Sequence, residues 1–306
     1  MIIKDKSYGV ILILRKENTE DRFLILHQTK GHWSFPKGHK EKDESSIESA
    51  QRELEEETDI KNVTFAELPT ISEKYSFKEG GKHYDKIVEY FIAFTEEEKI
   101  KIQDSEIIDY KWATFKEAMD TFTFPEVKQV LIMAKKYINL EGISRELAVV
   151  NTNNISKQEY DKLPKIYKSK AIIINTENKI ILIHTNLKNK LNIPGGKMEN
   201  GESIFEALSR ECKEETGCNI SIINTLGYVK LYRKDYISIN FIFIAEKIGV
   251  QEEMSLMEDE ISEGHEVVYK TMKEIIYELD SGEKNYKVST LAKIVLLEAQ
   301  KYLKNE

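Results

Sequence analysis

The chain repeats itself. One stretch reads Trp33-Ser34-Phe35-Pro36-Lys37-Gly38-His39, then Glu44, then Arg52-Glu53-Leu54-Glu55-Glu56-Glu57. A second reads Leu191-Asn192-Ile193-Pro194-Gly195-Gly196-Lys197, then Glu202, then Arg210-Glu211-Cys212-Lys213-Glu214-Glu215. The step from Gly38 to Glu44 equals the step from Gly196 to Glu202, and Arg52 and Arg210 follow at equal spacing. So many matched offsets exclude coincidence: one folding unit occurs twice. At 306 residues, each half is long enough to bury a core of its own.

The flanks repeat as well. Tyr8 to Leu14 and Phe23 to Leu26 are short β-branched runs that predict strands, as are Ala171 to Ile174 and Ile180 to Ile183, with a turn at Asn175 to Asn178. Ile87 to Phe94 and Tyr236 to Ala245 predict further strands. Helices are expected over Phe115 to Phe122 and Glu126 to Ile138, and over Met272 to Leu279 and Val288 to Tyr302. The polar stretch 141–165, with Asn151-Thr152-Asn153-Asn154 at its middle, reads as a linker, although Leu147 to Val150 offers a short strand. The expected division is a first domain over 1–140 and a second over 166–306.

The 41% apolar content, with 15 Tyr and 12 Phe, excludes a disordered chain. A net charge of -8 argues against a broad nucleic-acid surface and leaves room for a local basic pocket. Met1-Ile2-Ile3-Lys4-Asp5 lacks the apolar core of a signal peptide, and no apolar run is long enough to span a bilayer. Cys212 and Cys218 read as small buried hydrophobes in a reducing compartment, so the expectation is a cytoplasmic protein without membrane contact.

Ile47, Ala50 and Leu54 are spaced three and four apart and predict one core-facing helical stripe. Glu53, Glu56 and Glu57 fall on another face, where their carboxylates repel one another. A hard divalent cation removes that repulsion, and an oxygen-only donor set selects Mg²⁺ or Mn²⁺ over zinc. In the second half, Ile204, Ala207 and Leu208 take the core side, and Glu211, Glu214 and Glu215 the metal side. A glutamate run by itself is usually a solvated acidic face. The glycine, the distant Glu44 and the duplication weigh against that here. Arg52 and Arg210 can each hold Glu44 or its counterpart, or a metal-bound carboxylate, through a forked guanidinium, or simply pair along the helix surface, as Arg52 would with Glu55 or Glu56. Gly38 and Gly196 let the backbone approach the cation, so that a carbonyl completes the ligand set.

These residues resemble the Nudix box: glycine, a glutamate, then Arg-Glu and the Glu-Glu pair, closed by glycine and an apolar residue. The second copy fits throughout, to Thr216-Gly217-Cys218; the first places Asp59-Ile60 where Gly-apolar is expected. That position takes a left-handed conformation past the helix end, which Asp tolerates at a cost of about 1 kcal/mol. The resemblance implies an α/β fold class, two Nudix folds in tandem, each a mixed β-sheet sandwiched between α-helices. It also implies Mg²⁺- or Mn²⁺-dependent cleavage of phosphoanhydride bonds in nucleoside diphosphate-linked substrates. By motif match Glu53, Glu56, Glu57, Glu211, Glu214 and Glu215 are metal ligands. A general base often comes from outside the box.

Over about residues 5–138 the resemblance extends to the asymmetric dinucleoside tetraphosphate hydrolases. It is carried by His32-Trp33, Pro36-Lys37-Gly38-His39, Val88-Glu89-Tyr90-Phe91, Glu106, Tyr110-Lys111-Trp112 and Phe124. It implies phosphate contacts from His32, Lys37 and His39, and an adenine held between Tyr90 and Phe124. It places Glu106 at a metal or at the attacking water. Against these stand ordinary roles: Tyr90 and Phe124 as core aromatics, His32 as a loop residue, Trp33 as packing, Glu106 as a surface carboxylate. The second half is less specific. Glu260 or Glu263 stands where the outside carboxylate is supplied, unless 251–266 is only a mobile acidic loop; Tyr232 and Arg233 are pocket candidates. A small-molecule nucleotide is the expected partner. Removal of pyrophosphate from the 5′ end of RNA, and a nucleotide-sensing regulator with one non-catalytic domain, are the alternatives.

Overall fold

The computed structural model describes every residue except 1, 104, 141, 153, 157, 158, 160, 161, 281–286 and 304–306, and only the backbone of residue 280. The chain divides into two compact units, Met1–Asn139 and Leu140–Glu306. No helix among the described residues is long and apolar enough to cross a membrane.

In the first unit β1 (Ile2–Leu14) is the central strand. It runs parallel to β7 (Lys82–Thr95) along its whole length and antiparallel to β2 (Arg22–Gln28). β3 (Trp33–Ser34), β4 (Lys37–His39), β5 (Thr64–Phe65), β6 (Ile71–Glu79) and β8 (Ile107–Ala113) complete a mixed sheet. Alternation along β1 sends Tyr8, Val10 and Leu12 to one face, where they pack with Ala50 and Leu54 of α1 (Ser46–Thr58). Burying a Leu such as Leu54 contributes about 2 kcal/mol. α2 (Phe115–Thr121) and α3 (Pro125–Asn139) follow, α3 burying Val127, Val130, Leu131, Ala134 and Tyr137.

The second unit has the same plan. β10 (Lys165–Ile174) is parallel to β14 (Ile237–Ile248) and antiparallel to β11 (Ile180–Thr185). β12 (Lys190–Asn192), β13 (Asn219–Tyr232), β15 (His265–Lys270) and β16 (Lys287–Val288) lie in the same sheet. α4 (Ile204–Thr216) takes the place of α1; α5 (Glu258–Glu263), α6 (Met272–Asp280) and α7 (Thr290–Leu303) follow.

The short strand offered at Leu147 to Val150 is present: β9 (Glu146–Val150) pairs with β13 and belongs to the second sheet. Residue 153, at the middle of the stretch 141–165, lies outside the described residues. Three expectations change. Val288 ends a strand beside β12 rather than opening α7, and the acidic segment 251–266 contains α5 and the first residues of β15. Ile47 is 37% exposed, so the buried stripe of α1 runs through Ser49, Ala50 and Leu54 to Glu57 and Thr58.

Candidate active sites

Both box helices begin the same way. Ser45 caps α1, its hydroxyl accepting the Glu48 N–H at 3.3 Å while the Glu48 carboxylate accepts the Ser45 N–H at 2.7 Å. Ser203 and Glu206 do the same for α4, at 3.3 and 2.8 Å. Such a reciprocal cap fixes where the helix starts, and so which side chains face the sheet. The far end is fixed too: Asp59 adopts φ 59°, like Gly217 at φ 67°, and donates to the Glu55 carbonyl at 2.8 Å.

Arg52 holds the acidic face together. Its guanidinium donates to Glu44 at 2.7 and 3.3 Å, Glu53 at 2.9 Å, Glu56 at 3.0 Å and the His39 carbonyl at 2.8 Å. Arg210 makes the matching set with Glu202 (2.7 and 3.0 Å), Glu211 (2.9 Å), Glu214 (3.0 Å) and the Lys197 carbonyl (3.0 Å). One guanidinium thus binds Glu44 together with Glu53 and Glu56, and its counterpart binds Glu202 together with Glu211 and Glu214. The glycines give the carboxylates room. A Cβ on Gly38 would stand 2.0 Å from the Glu53 carboxylate, and one on Gly196 2.1 Å from that of Glu211. The Gly196 carbonyl, expected to face a cation, accepts the Ser169 N–H across the sheet at 3.0 Å.

Glu57 is the most enclosed acid, only 2% exposed, and accepts the Lys37 N–H at 3.1 Å. Glu215 accepts the Gly195 N–H at 2.7 Å. Burial pushes Glu57 up to about 8 and Glu215 up to about 7, and it also raises Glu53 and Glu211. Such carboxylates ionise readily only beside a cation. The donors at the box are carboxylate oxygens, so they fit a hard divalent ion. Glu106 stands close enough to Glu53 to raise it, as Glu260 does to Glu215. Glu263 is turned elsewhere, paired with Lys188 and 3.7 Å from His265.

Glu57 and Glu215 each have a lysine nearby, but at different positions of the shared plan. Val10 N donates to Pro36 O at 3.0 Å and Ala171 N to Pro194 O at 3.0 Å, so Gly9 and Lys170 are equivalent, as are Lys37 and Gly195. Lys37 is the leading favourable charge at Glu57; at Glu215 it is Lys170, whose ammonium donates to the Gly195 carbonyl and to that of Ile193 at 3.3 Å. Gly9 leaves the space: a Cβ there would meet Pro36 O at 2.4 Å, and Lys37 Cβ and a Tyr90 ring carbon at 2.8 Å.

The substrate residues expected in the first half divide. Lys37 donates to Ser34 at 3.3 Å, and burial, with Lys37 and Lys30 nearby, depresses His32. Phe124 is 48% exposed and faces the His32 ring at 5.7 Å. Tyr90 is different. It is fully buried, edge-on to Phe35 at 5.6 Å, with its hydroxyl on Glu73 at 2.8 Å, and offers no free face for an adenine. His39 bonds Asp5 at 2.8 Å, and buried Lys86 bridges Asp5 (2.7 Å) and His39 (3.1 Å). Trp33 stacks on His27 at 4.8 Å, which is packing. In the second half Lys168 is depressed by burial and by Lys170, Arg233 and Lys197 around it, a basic group beside Glu211. Sequence reasoning found Arg233 and missed Lys86, Lys168 and Lys170, because single lysines on strands carry no motif.

The NUDIX domain pattern matches residues 5–132 and 168–287. The asymmetrical bis(5′-nucleosyl)-tetraphosphatase of Rattus norvegicus is 32% identical over 123 residues, covering 39% of this chain and 82% of that protein. The mRNA-decapping protein g5R of an African swine fever virus isolate is 34% identical over 84 residues, 26% of this chain and 33% of the viral protein. Among solved structures, a C. elegans Ap4A hydrolase binary complex matches with 25% identity and a TM-score of 0.39, over 44% of this chain and 98% of that one. The matched regions are the two duplicated units, so the chain belongs to the Nudix family and is a hydrolase of pyrophosphate bonds built from two Nudix domains.

Proposed function

We propose that the chain is a divalent-cation-dependent nucleotide pyrophosphohydrolase whose first domain splits diadenosine tetraphosphate asymmetrically into ATP and AMP. The observation that carries the metal-dependent chemistry is the duplicated set of converging carboxylates, in which Glu57 accepts the Lys37 N–H, Glu215 accepts the Gly195 N–H, and burial raises them to about 8 and about 7. Glu53, Glu56 and Glu57 would hold the cation in the first domain, and Glu211, Glu214 and Glu215 in the second. A bound Mg²⁺ or Mn²⁺ supplies charge neutralisation at the phosphate oxygens. Arg52 and Arg210 orient the carboxylates. Lys37 and His32 draw the polyphosphate, Phe124 stacks on a base, and Glu106 takes the proton of the attacking water. In the second domain Lys168, Lys197 and Arg233 provide the phosphate-facing charge, while Lys170 balances Glu215.

The substrate rests on the rat relative, a bis(5′-nucleosyl)-tetraphosphatase. A second reading has one support, the stretch shared with the viral decapping protein. A capped RNA end is itself a dinucleoside polyphosphate, so the first domain's preference among such substrates is the open choice. The full chain, given diadenosine tetraphosphate in ¹⁸O water with Mg²⁺, should yield ATP and AMP, lose activity in chelator and regain it with Mg²⁺ or Mn²⁺ but not Ca²⁺. Two ADP molecules, cleavage of capped RNA alone, or full activity in chelator would defeat it.

A further inference from the structure

In the second domain α5 and the first residue of β15 bring two more side chains to Glu215. Ligand atoms of Glu215, Glu260 and His265 all lie within 4.8 Å of one another, the one such group of three among the described residues. His265 separates this group from an ordinary acidic patch. Its side chain is 14% exposed, and its Nδ1 is buried with no hydrogen-bond partner. An unpaired buried nitrogen is costly, so its retention points to something that uses it. Its placement is enforced by the backbone. Gly264, at φ 67°, ends α5 and turns the chain into β15, where His265 pairs in register with Thr185.

The first domain lacks this nitrogen. Leu26 pairs with Ser34 there, and Ile183 with Asn192 here, each partner two residues ahead of the proline. Gln28 and Thr185 are thus equivalent. Past a bulge at Ile108, Gln28 pairs with Ile107, which is 1% exposed and apolar, where Thr185 pairs with His265 without a bulge. The outside carboxylate differs too: Glu106 directly precedes β8, whereas Glu260 comes from α5, an element the first domain does not have at this point. The Gln28 side chain bonds Glu57 in the first domain; in the second an imidazole reaches the group around Glu215.

We propose that His265 is a nitrogen ligand, with Glu215 and Glu260, of a divalent ion in the second domain, and that it makes this site prefer Mn²⁺ to Mg²⁺ where the first does not. Among the first-row divalent ions Mn²⁺ has the lowest affinity for a nitrogen-containing site, but Mg²⁺ is held by oxygen alone and surrenders water still more reluctantly, so an added imidazole tips the balance between these two toward Mn²⁺. The inference rests on the reading of the second domain as a divalent-cation site.

The test is pulsed EPR and calorimetry on the full chain loaded with Mn²⁺. A ¹⁴N coupling is expected in the wild type and lost in His265→Ile, which copies the first domain. Mn²⁺ affinity at the second site should fall about tenfold or more, with Mg²⁺ affinity changed far less. Glu260→Gln should weaken Mn²⁺ and keep the ¹⁴N coupling, a check that does not depend on how well the isoleucine packs. Bound Mn²⁺ without ¹⁴N coupling, or coupling unchanged in His265→Ile, overturns the ligand assignment and leaves the cation reading standing. Equal Mn²⁺ stoichiometry in wild type and Glu215→Gln overturns both.

Discussion

Replacing Glu57 by Gln should stabilise the metal-free protein at neutral and alkaline pH while abolishing the first site. Glu57 is 2% exposed, and burial lifts it from 4.5 to about 8. A carboxyl with a raised folded-state value binds its proton more tightly folded than unfolded. Its contribution is therefore intact below about 4.5 and lost as pH rises through about 8. At about 1.4 kcal/mol per pH unit of separation, the loss is at most about 5 kcal/mol. Gln keeps the shape and the acceptor for Lys37 N–H but has no charge to bury. In chelator, urea unfolding of wild type and variant should nearly coincide at pH 5 and separate steadily to pH 8, the variant being the more stable. The same experiment on Glu215, raised to about 7, should give a smaller separation that saturates earlier. Saturating Mg²⁺ should shrink or reverse the advantage, because the ion stabilises only the form that binds it. A difference that is independent of pH, or a variant less stable than wild type at pH 8 in chelator, would refute the reasoning.

Gly38→Ala should push the Glu53 carboxylate off its place, since the new methyl would stand 2.0 Å from it; a loss of first-domain kcat/KM below about tenfold would contradict the wedge. Asp59→Gly should relieve the left-handed φ of 59° and stabilise the first domain by about 0.5–1 kcal/mol, read as a rise in its unfolding midpoint with activity unchanged.

The box was legible because its function fixes both residue type and spacing. Carboxylates that share one side of a helix must recur at three and four, and the arginine, the glycine and the left-handed stop have few substitutes. The capping pairs Ser45/Glu48 and Ser203/Glu206 were written in the chain as well, as Ser-x-x-Glu before an apolar run. What sequence could not give was facing. Tyr90 and Phe124 carry the same composition signal, yet one is sealed against Phe35 and the other half open. β9 and β16 are short edge strands whose pairing depends on the neighbours they meet: the apolar run Leu147 to Val150 offered the first, while the helical pattern after Val288 hid the second.

The exchange between Gly9/Lys37 and Lys170/Gly195 limits how one arrangement can turn into the other. A lysine cannot enter at position 9 while Lys37 and Tyr90 stand within 2.8 Å of its Cβ, and the equivalent of Tyr90 in the second domain is the slimmer Ile242. A stepwise route would therefore pass through a unit with neither lysine beside this glutamate, whose charge the proposed ion would have to balance. Steps that are neutral in one order are harmful in the other, a strong form of non-additivity between touching residues. A gene carrying the unit twice can let one copy linger in that state while its neighbour is untouched, so duplication opens a path that a lone domain would find closed.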